Sequence, residues 1–145
     1  MAFIYSEGTK DYLAATPALI VTFKASGSIT AGRCVCYEVT SNDSSVYMPA
    51  AGTESGSDVP AGVALNTVAN AADVAVLVWG YAKSLPNGNT AVTANRFITH
   101  SGSGYWVMSG SINNTLLKRV AGKAISGSAA GGTILAFIDC TKTSG

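Results

Sequence analysis

Residues able to support covalent or metal chemistry are few in this chain and poorly spaced for it. Nucleophilic catalysis needs a base beside a nucleophile. The one imidazole, His100, lies at the end of a short strand pattern, just before Ser101 and Ser103, without a G-x-S-x-G elbow. It reads as a surface residue. The eight carboxylates are Glu7, Asp11, Glu38, Asp43, Glu54, Asp58, Asp73 and Asp139. They fall near turns and strand ends, where solubility accounts for them better than paired acid–base work does. Asp43, Glu54 and Asp58 could meet around calcium if their loops met, but no EF-hand spacing is present. Cys34, Cys36 and Cys140 are an odd set, which argues against a closed disulfide framework. Cys34 and Cys36 would share one strand face, and a zinc site would need further ligands, so buried reduced thiols are expected. Neither a dinucleotide-binding nor a phosphate-loop glycine motif occurs. The expectation is a non-enzymatic protein with no catalytic residues, no cofactor and no metal.

Binding chemistry has more to draw on. Trp79, Tyr81, Tyr105 and Trp106 could stack on sugars, although Trp79 and one of the Tyr105–Trp106 pair are expected in the core. No interleaved basic residues support nucleic acid, and the net charge of +1 gives no field toward DNA or anionic lipid. The N-terminal stretch MAFIYSEGTKDYLAATPALI carries large apolar groups ahead of the first firm strand. Phe3, Ile4, Tyr5, Tyr12 and Leu13 are the candidate anchors of an arm, residues 1–18, that adds to a neighbour's sheet edge or lies in a neighbour's groove.

The elements that would position these groups are strands. Val, Ile, Tyr, Phe and Thr cluster in short runs punctuated by Gly, Ser, Asn and Pro. Strands are expected at 19–24, 33–39, 45–48, 63–65, 73–83, 96–100, 105–108, 122–125 and 133–140. Residues 9–16 could form a helical turn or two. Loops are expected at 41–45, 50–60 and 84–90, with 100–106 turning a hairpin and the C-terminal tail loose. The chain is 48% apolar but only 12% charged, against about 25% charged in an average soluble protein. Its surface must therefore be rich in Ser, Thr, Asn, Gly and Ala, as suits a surface covered by other protein. No signal-peptide pattern and no apolar run of membrane-spanning length appears, so no membrane partner is expected.

The pattern also repeats. Residues 60–78, PAGVALNTVANAADVAVLV, align without a gap on 120–138, VAGKAISGSAAGGTILAFI; SITAGRCV (28–35) likewise resembles AVTANRFI (91–98). Each half reads as a turn, a strand, a variable hairpin, an AG-x-A strand, a polar loop and a long apolar strand. The TAG and TAN turns offer residues that accept left-handed backbone angles, and the small AG-x-A strands let another strand approach closely. Val74–Trp79 and Ile134–Ile138 are apolar on both faces, so each should be covered on both sides, by the core and by a neighbour that is either a loop of this chain or another subunit. The expected fold is all-β: a small β-barrel or β-clip-like (β-tulip-like) domain over residues 19–145, with pseudo-repeat halves about 25–83 and 88–140 and an N-terminal arm.

The run SGSDVPAGVALNTVANAADVAVLVWGYAK, its second TA-turn strand and VAGKAISGSAAGGTILAFID resemble small capsid decoration (cement) proteins of tailed bacteriophages. In these a PxGVAL…AxxGDxVxVxxxG stretch is followed by a weaker copy. The match spans about residues 20–139. Asp73 stands at the usual acid, but Ala72 stands where Gly is common, so that turn could differ. The resemblance implies a virion structural protein, often a homotrimer, that binds the major capsid protein on the head exterior and bridges its neighbours. It would occupy the host cytoplasm during assembly. The alternative is a virion fibre or spike module that binds a receptor or glycan.

Overall fold

The computed structural model describes residues 6–7, 10–11, 18–38, 45–50, 59–109 and 120–141. A two-residue pair joins β1 (Ser6–Glu7) to β2 (Lys10–Asp11). Lys10 and Asp11 are therefore extended where the sequence allowed a helical turn, and the rest of 9–16 lies outside the described residues. The body contains β3 (Leu19–Ala25), β4 (Cys34–Tyr37), β5 (Ser45–Tyr47), β6 (Pro60–Ala64) and β7 (Asp73–Pro86). It continues with β8 (Phe97–His100), β9 (Trp106–Met108), β10 (Gly122–Ala124) and β11 (Thr133–Asp139). Each of the nine expected strands is present. The largest boundary errors are three residues each: β7 runs through Ser84–Pro86 where a loop was expected, and β6 begins at Pro60 rather than Val63.

These strands form one sheet in the order β3-β5-β4-β6-β7-β11-β10-β8-β9. β3 also pairs with β7, so β3, β5, β4, β6 and β7 close into a five-stranded barrel. The remaining strands extend from the C-terminal half of β7. That strand is shared: Trp79 pairs with Leu19 of β3 and with Asp139 of β11. The interior is a single cluster that includes Val35, Val46, Val76, Leu77, Ile98, Trp106, Ile134 and Ile138.

The duplicated pattern is present in the register. Cys34↔Val63 and Val35↔Gly62 in the first half become Phe97↔Lys123 and Ile98↔Gly122 in the second. Tyr37↔Val46 becomes His100↔Trp106. Val63↔Leu77 becomes Lys123↔Phe137, and the Ile29↔Val68 bridge becomes Val92↔Ser128. Even the minor contacts recur: the Thr30 N–H donates to Met48 Sδ and the Thr93 N–H to Met108 Sδ, both at 3.4 Å. Because a one-residue slip would turn a strand's buried face outward, agreement at every pair means that both halves place their side chains by one rule.

Two glycines explain the AG-x-A signature. A Cβ on Gly62 would collide with the Leu77 carbonyl, and one on Gly122 with the equivalent Phe137 carbonyl. The left-handed turn positions correspond as well, Gly32 (φ 84°) with Asn95 (φ 65°). The turn at Ala72 matches its counterpart in the second half. Ala71 holds φ 66° where Gly131 holds 78°, and the Ala72→Ala69 backbone bond matches Gly132→Ala129.

One difference separates the halves. β3 and β5 pair in parallel through Lys24↔Ser45 and Ala25↔Val46. The corresponding end of β7 carries Pro86, which has no N–H to donate. Asn87 beyond it is fully buried and turns its Nδ2 to the carbonyls of Thr90 (3.0 Å) and Ala129 (2.8 Å). Among the described residues β9 pairs with β8 alone, and the second half stays open.

Two predictions follow from this duplication. Gly62→Ala and Gly122→Ala should each cost about 3 kcal/mol or more, because backbone on both sides must move; urea unfolding midpoints measure it. Ala71→Gly should raise stability by about 0.5–1 kcal/mol by removing a left-handed alanine, whereas Gly131→Ala should lower it by a similar amount.

Candidate functional site

Among the described residues, those singled out for chemistry are not brought into a reactive arrangement. His100 is 1% exposed and opposite Trp106 in the β8–β9 pair, so it is interior rather than on the surface. Ser101 and Ser103 flank and join the 3-10 turn Gly102–Gly104, whose backbone lies against Arg33 and Cys34. Among the described residues no three His, Cys, Asp or Glu side chains gather as a metal site would require. Asp43, Glu54 and Asp58 lie outside the described residues. Asp73 pairs with Lys24 at 2.6 Å across β7 and β3; both side chains are well exposed, so the bridge contributes little.

The three thiols are free and buried. Cys34 and Cys36 lie side by side on β4, and Cys140 ends the β11 segment with its Sγ toward the Ala121 carbonyl. Burial pushes the Cys34 thiol well above its ordinary value, with a hydrogen bond from the Cys34 thiol to Cys36 and the Cys36 and Cys140 thiols adding to the shift. Tyr37 is raised too, first by burial and then by Cys140. A thiol held protonated is a poor nucleophile and packs as a small hydrophobe.

Polar groups instead bind the halves together. The Arg33 guanidinium donates to the Ser103 carbonyl at 2.8 Å and to the Tyr105 hydroxyl at 2.9 Å, and lies 3.7 Å over the Tyr105 ring. Trp106 is fully buried, and its Nε1–H donates to the Gly32 carbonyl at 2.9 Å. Sequence reasoning missed this clamp, because Arg33 precedes its partners by about seventy residues and no local motif marks it.

Of the four aromatics weighed for ligand stacking, Tyr105 and Trp106 are thus occupied internally. Trp79, expected in the core, is half-buried at the surface and stands edge-on to Phe137, which meets Tyr81 in the same way (ring centroids 5.1 and 5.0 Å). Tyr81 (40% exposed), Phe137, Lys123 and Phe97 (44%) form a continuous cross-strand row on β7, β11, β10 and β8. This outer face is the candidate interaction surface. The expected cover on both faces of the long apolar strands holds for β7 at Val76–Val78, but the outer residues of β11, Leu135 and Phe137, are only half-buried. Phe3, Ile4, Tyr5, Tyr12 and Leu13, the expected arm anchors, lie outside the described residues.

No family model matches the chain, and no curated protein matches it. Among solved structures it is similar to the head fiber gp8.5 N base of bacteriophage phi29, at 16% identity, covering 89% of this chain and all of that one, with a TM-score of 0.58. At that identity the likeness is one of fold.

Replacing Arg33 with Ala should cost about 1–3 kcal/mol and Tyr105→Phe less; a double-mutant cycle should show coupling, since the two changes share one contact. The Cys34 shift has a signed consequence. Its folded pKa lies above the unfolded one, so its contribution is fully present below the unfolded thiol pKa of about 8.5 and is lost as pH rises from there toward the folded value. Unfolding free energy should decline above pH ~8.5, and less steeply in Cys34→Ala. Thiol reagents at neutral pH should label the protein only after denaturation.

Proposed function

We propose that this chain is a structural protein of a tailed-phage virion, seated on the outside of the head. The observation that carries this reading is the fold likeness to a phage head fiber base over nearly the whole of both chains. The sequence resemblance to capsid decoration proteins points the same way from an independent source. The chemistry is compatible: a barrel reinforced by a second half, few charges, and an apolar outer sheet face.

In the proposed mechanism the domain bridges neighbouring major capsid subunits as a small oligomer, expected to be a trimer, and contributes buried area rather than catalysis. Specific interfaces of this kind bury on the order of 1,200–2,000 Å². A surface rich in Ala, Ser and Gly leaves few charges to desolvate. Many copies on a closed shell add their small individual affinities. A second reading, that the domain is the base of a head fibre, is favoured by the name of the structural neighbour and by the exposed Trp79–Phe137–Tyr81 cluster.

Adding the purified chain to expanded heads that lack it separates the readings. Bridging requires saturable binding and a higher disruption temperature of the shell. A fibre base requires binding with that temperature unchanged, and loss of cell or glycan attachment in Trp79→Ala. Failure to bind heads at all rejects both.

A further inference from the structure

We propose that the outer face of the second half, centred on Tyr81, Phe137, Lys123 and Phe97, receives a second copy of this chain. The argument comes from the internal duplication and does not rest on the capsid reading. By register, this row is the counterpart of Ile20, Leu77, Val63 and Cys34 in the first half. There the same positions are inside the protein: Leu77, Val63 and Cys34 have no exposure. Their cover includes the chain's own second half. The 3-10 turn lies on the Arg33–Cys34 backbone, and Trp106 reaches the Gly32 carbonyl. A surface that this chain covers with itself once is thus displayed a second time without its cover.

The side chains on the open copy suit that occupant. Among the described residues the exposed large hydrophobics are Leu19, Tyr81, Phe97 and Ile125. Tyr81 and Phe97 belong to the row. Ile125 follows β10 two residues beyond Lys123, and Leu19 pairs with Trp79, two residues before Tyr81. An isolated exposed apolar residue needs no explanation, but a contiguous set on one sheet face marks an interface. The charges are self-complementary. Lys123 is exposed in the row, and Asp139 lies two residues along β11 from Phe137, so each copy brings both signs to the contact. A face carrying both halves of an ion pair satisfies the condition for a closed symmetric interface.

Analytical ultracentrifugation of the full chain tests this. The wild-type chain should self-associate reversibly, and Tyr81→Glu with Phe97→Glu should weaken association by at least about tenfold. The far-ultraviolet circular dichroism of the variant should match wild type. Should that variant fail to fold, Lys123→Glu decides, because it alters only an exposed side chain and sets like charges against Asp139 of the other copy. It should also weaken association, and the paired change Asp139→Lys should restore it. A wild-type chain that stays monomeric, or variants that associate as tightly as wild type, would overturn the proposal. In the first case the face would belong to a different partner.

Discussion

The architecture depends on one strand serving two sheets. β7 is fourteen residues long, and its first half closes the barrel between β3 and β6 while its second half carries β11. At Trp79 both roles meet, with Leu19 on one side and Asp139 on the other. A strand can do this because successive residues turn their backbone N–H and C=O groups to opposite edges. The consequence is mechanical. The two halves are not beads on a linker; they share hydrogen-bonded backbone, and neither can shift without breaking ladder pairs in the other. The Arg33 clamp and the Trp106–Gly32 bond tie the same halves at a second place, far from β7 in sequence.

The second constraint is close approach. Gly62 and Gly122 sit against carbonyls of the neighbouring strand with no room for a Cβ, which draws β6 onto β7 and β10 onto β11. Small residues therefore recur at matching positions, while the rest of the sequence has diverged. The halves retain the backbone rule and differ in what they cover. Valine and cysteine on β6 and β4 give way to Lys123 and Phe97 on β10 and β8, and the outer row changes from interior to surface.

A domain built in this way suits a role in which shape and contact area matter more than reactivity. Its nucleophiles are suppressed: Cys34 is kept protonated by burial, and His100 is enclosed beside Trp106. Its Lys24–Asp73 ion pair lies exposed at the surface and contributes little. Among the described residues, the aromatic face of β7 and β11 and the strands beside them stay open to solvent.

Much of this was legible in the sequence because β-structure and tight turns are local codes. Runs such as Val74–Val78 mark strands by branched side chains, Gly32 and Asn95 mark turns by their tolerance of left-handed angles, and the AG-x-A echo marks the duplication. Tertiary structure decided the rest. Residues 84–90 read as a loop, yet β7 runs on to Pro86, where it is still paired with Thr133 of β11 at the end of the ladder. Trp79 and Trp106 are the same residue type in similar strands, and one stands half outside while the other is enclosed. Nothing in their neighbours along the chain distinguishes them. Burial depends on which distant surface closes over a side chain, and that is fixed by the order in which strands pair, a relation between residues sixty or more positions apart. The sequence by itself determined that there would be two matching β halves; only the packing of one on the other determined which apolar face was covered and which was left exposed.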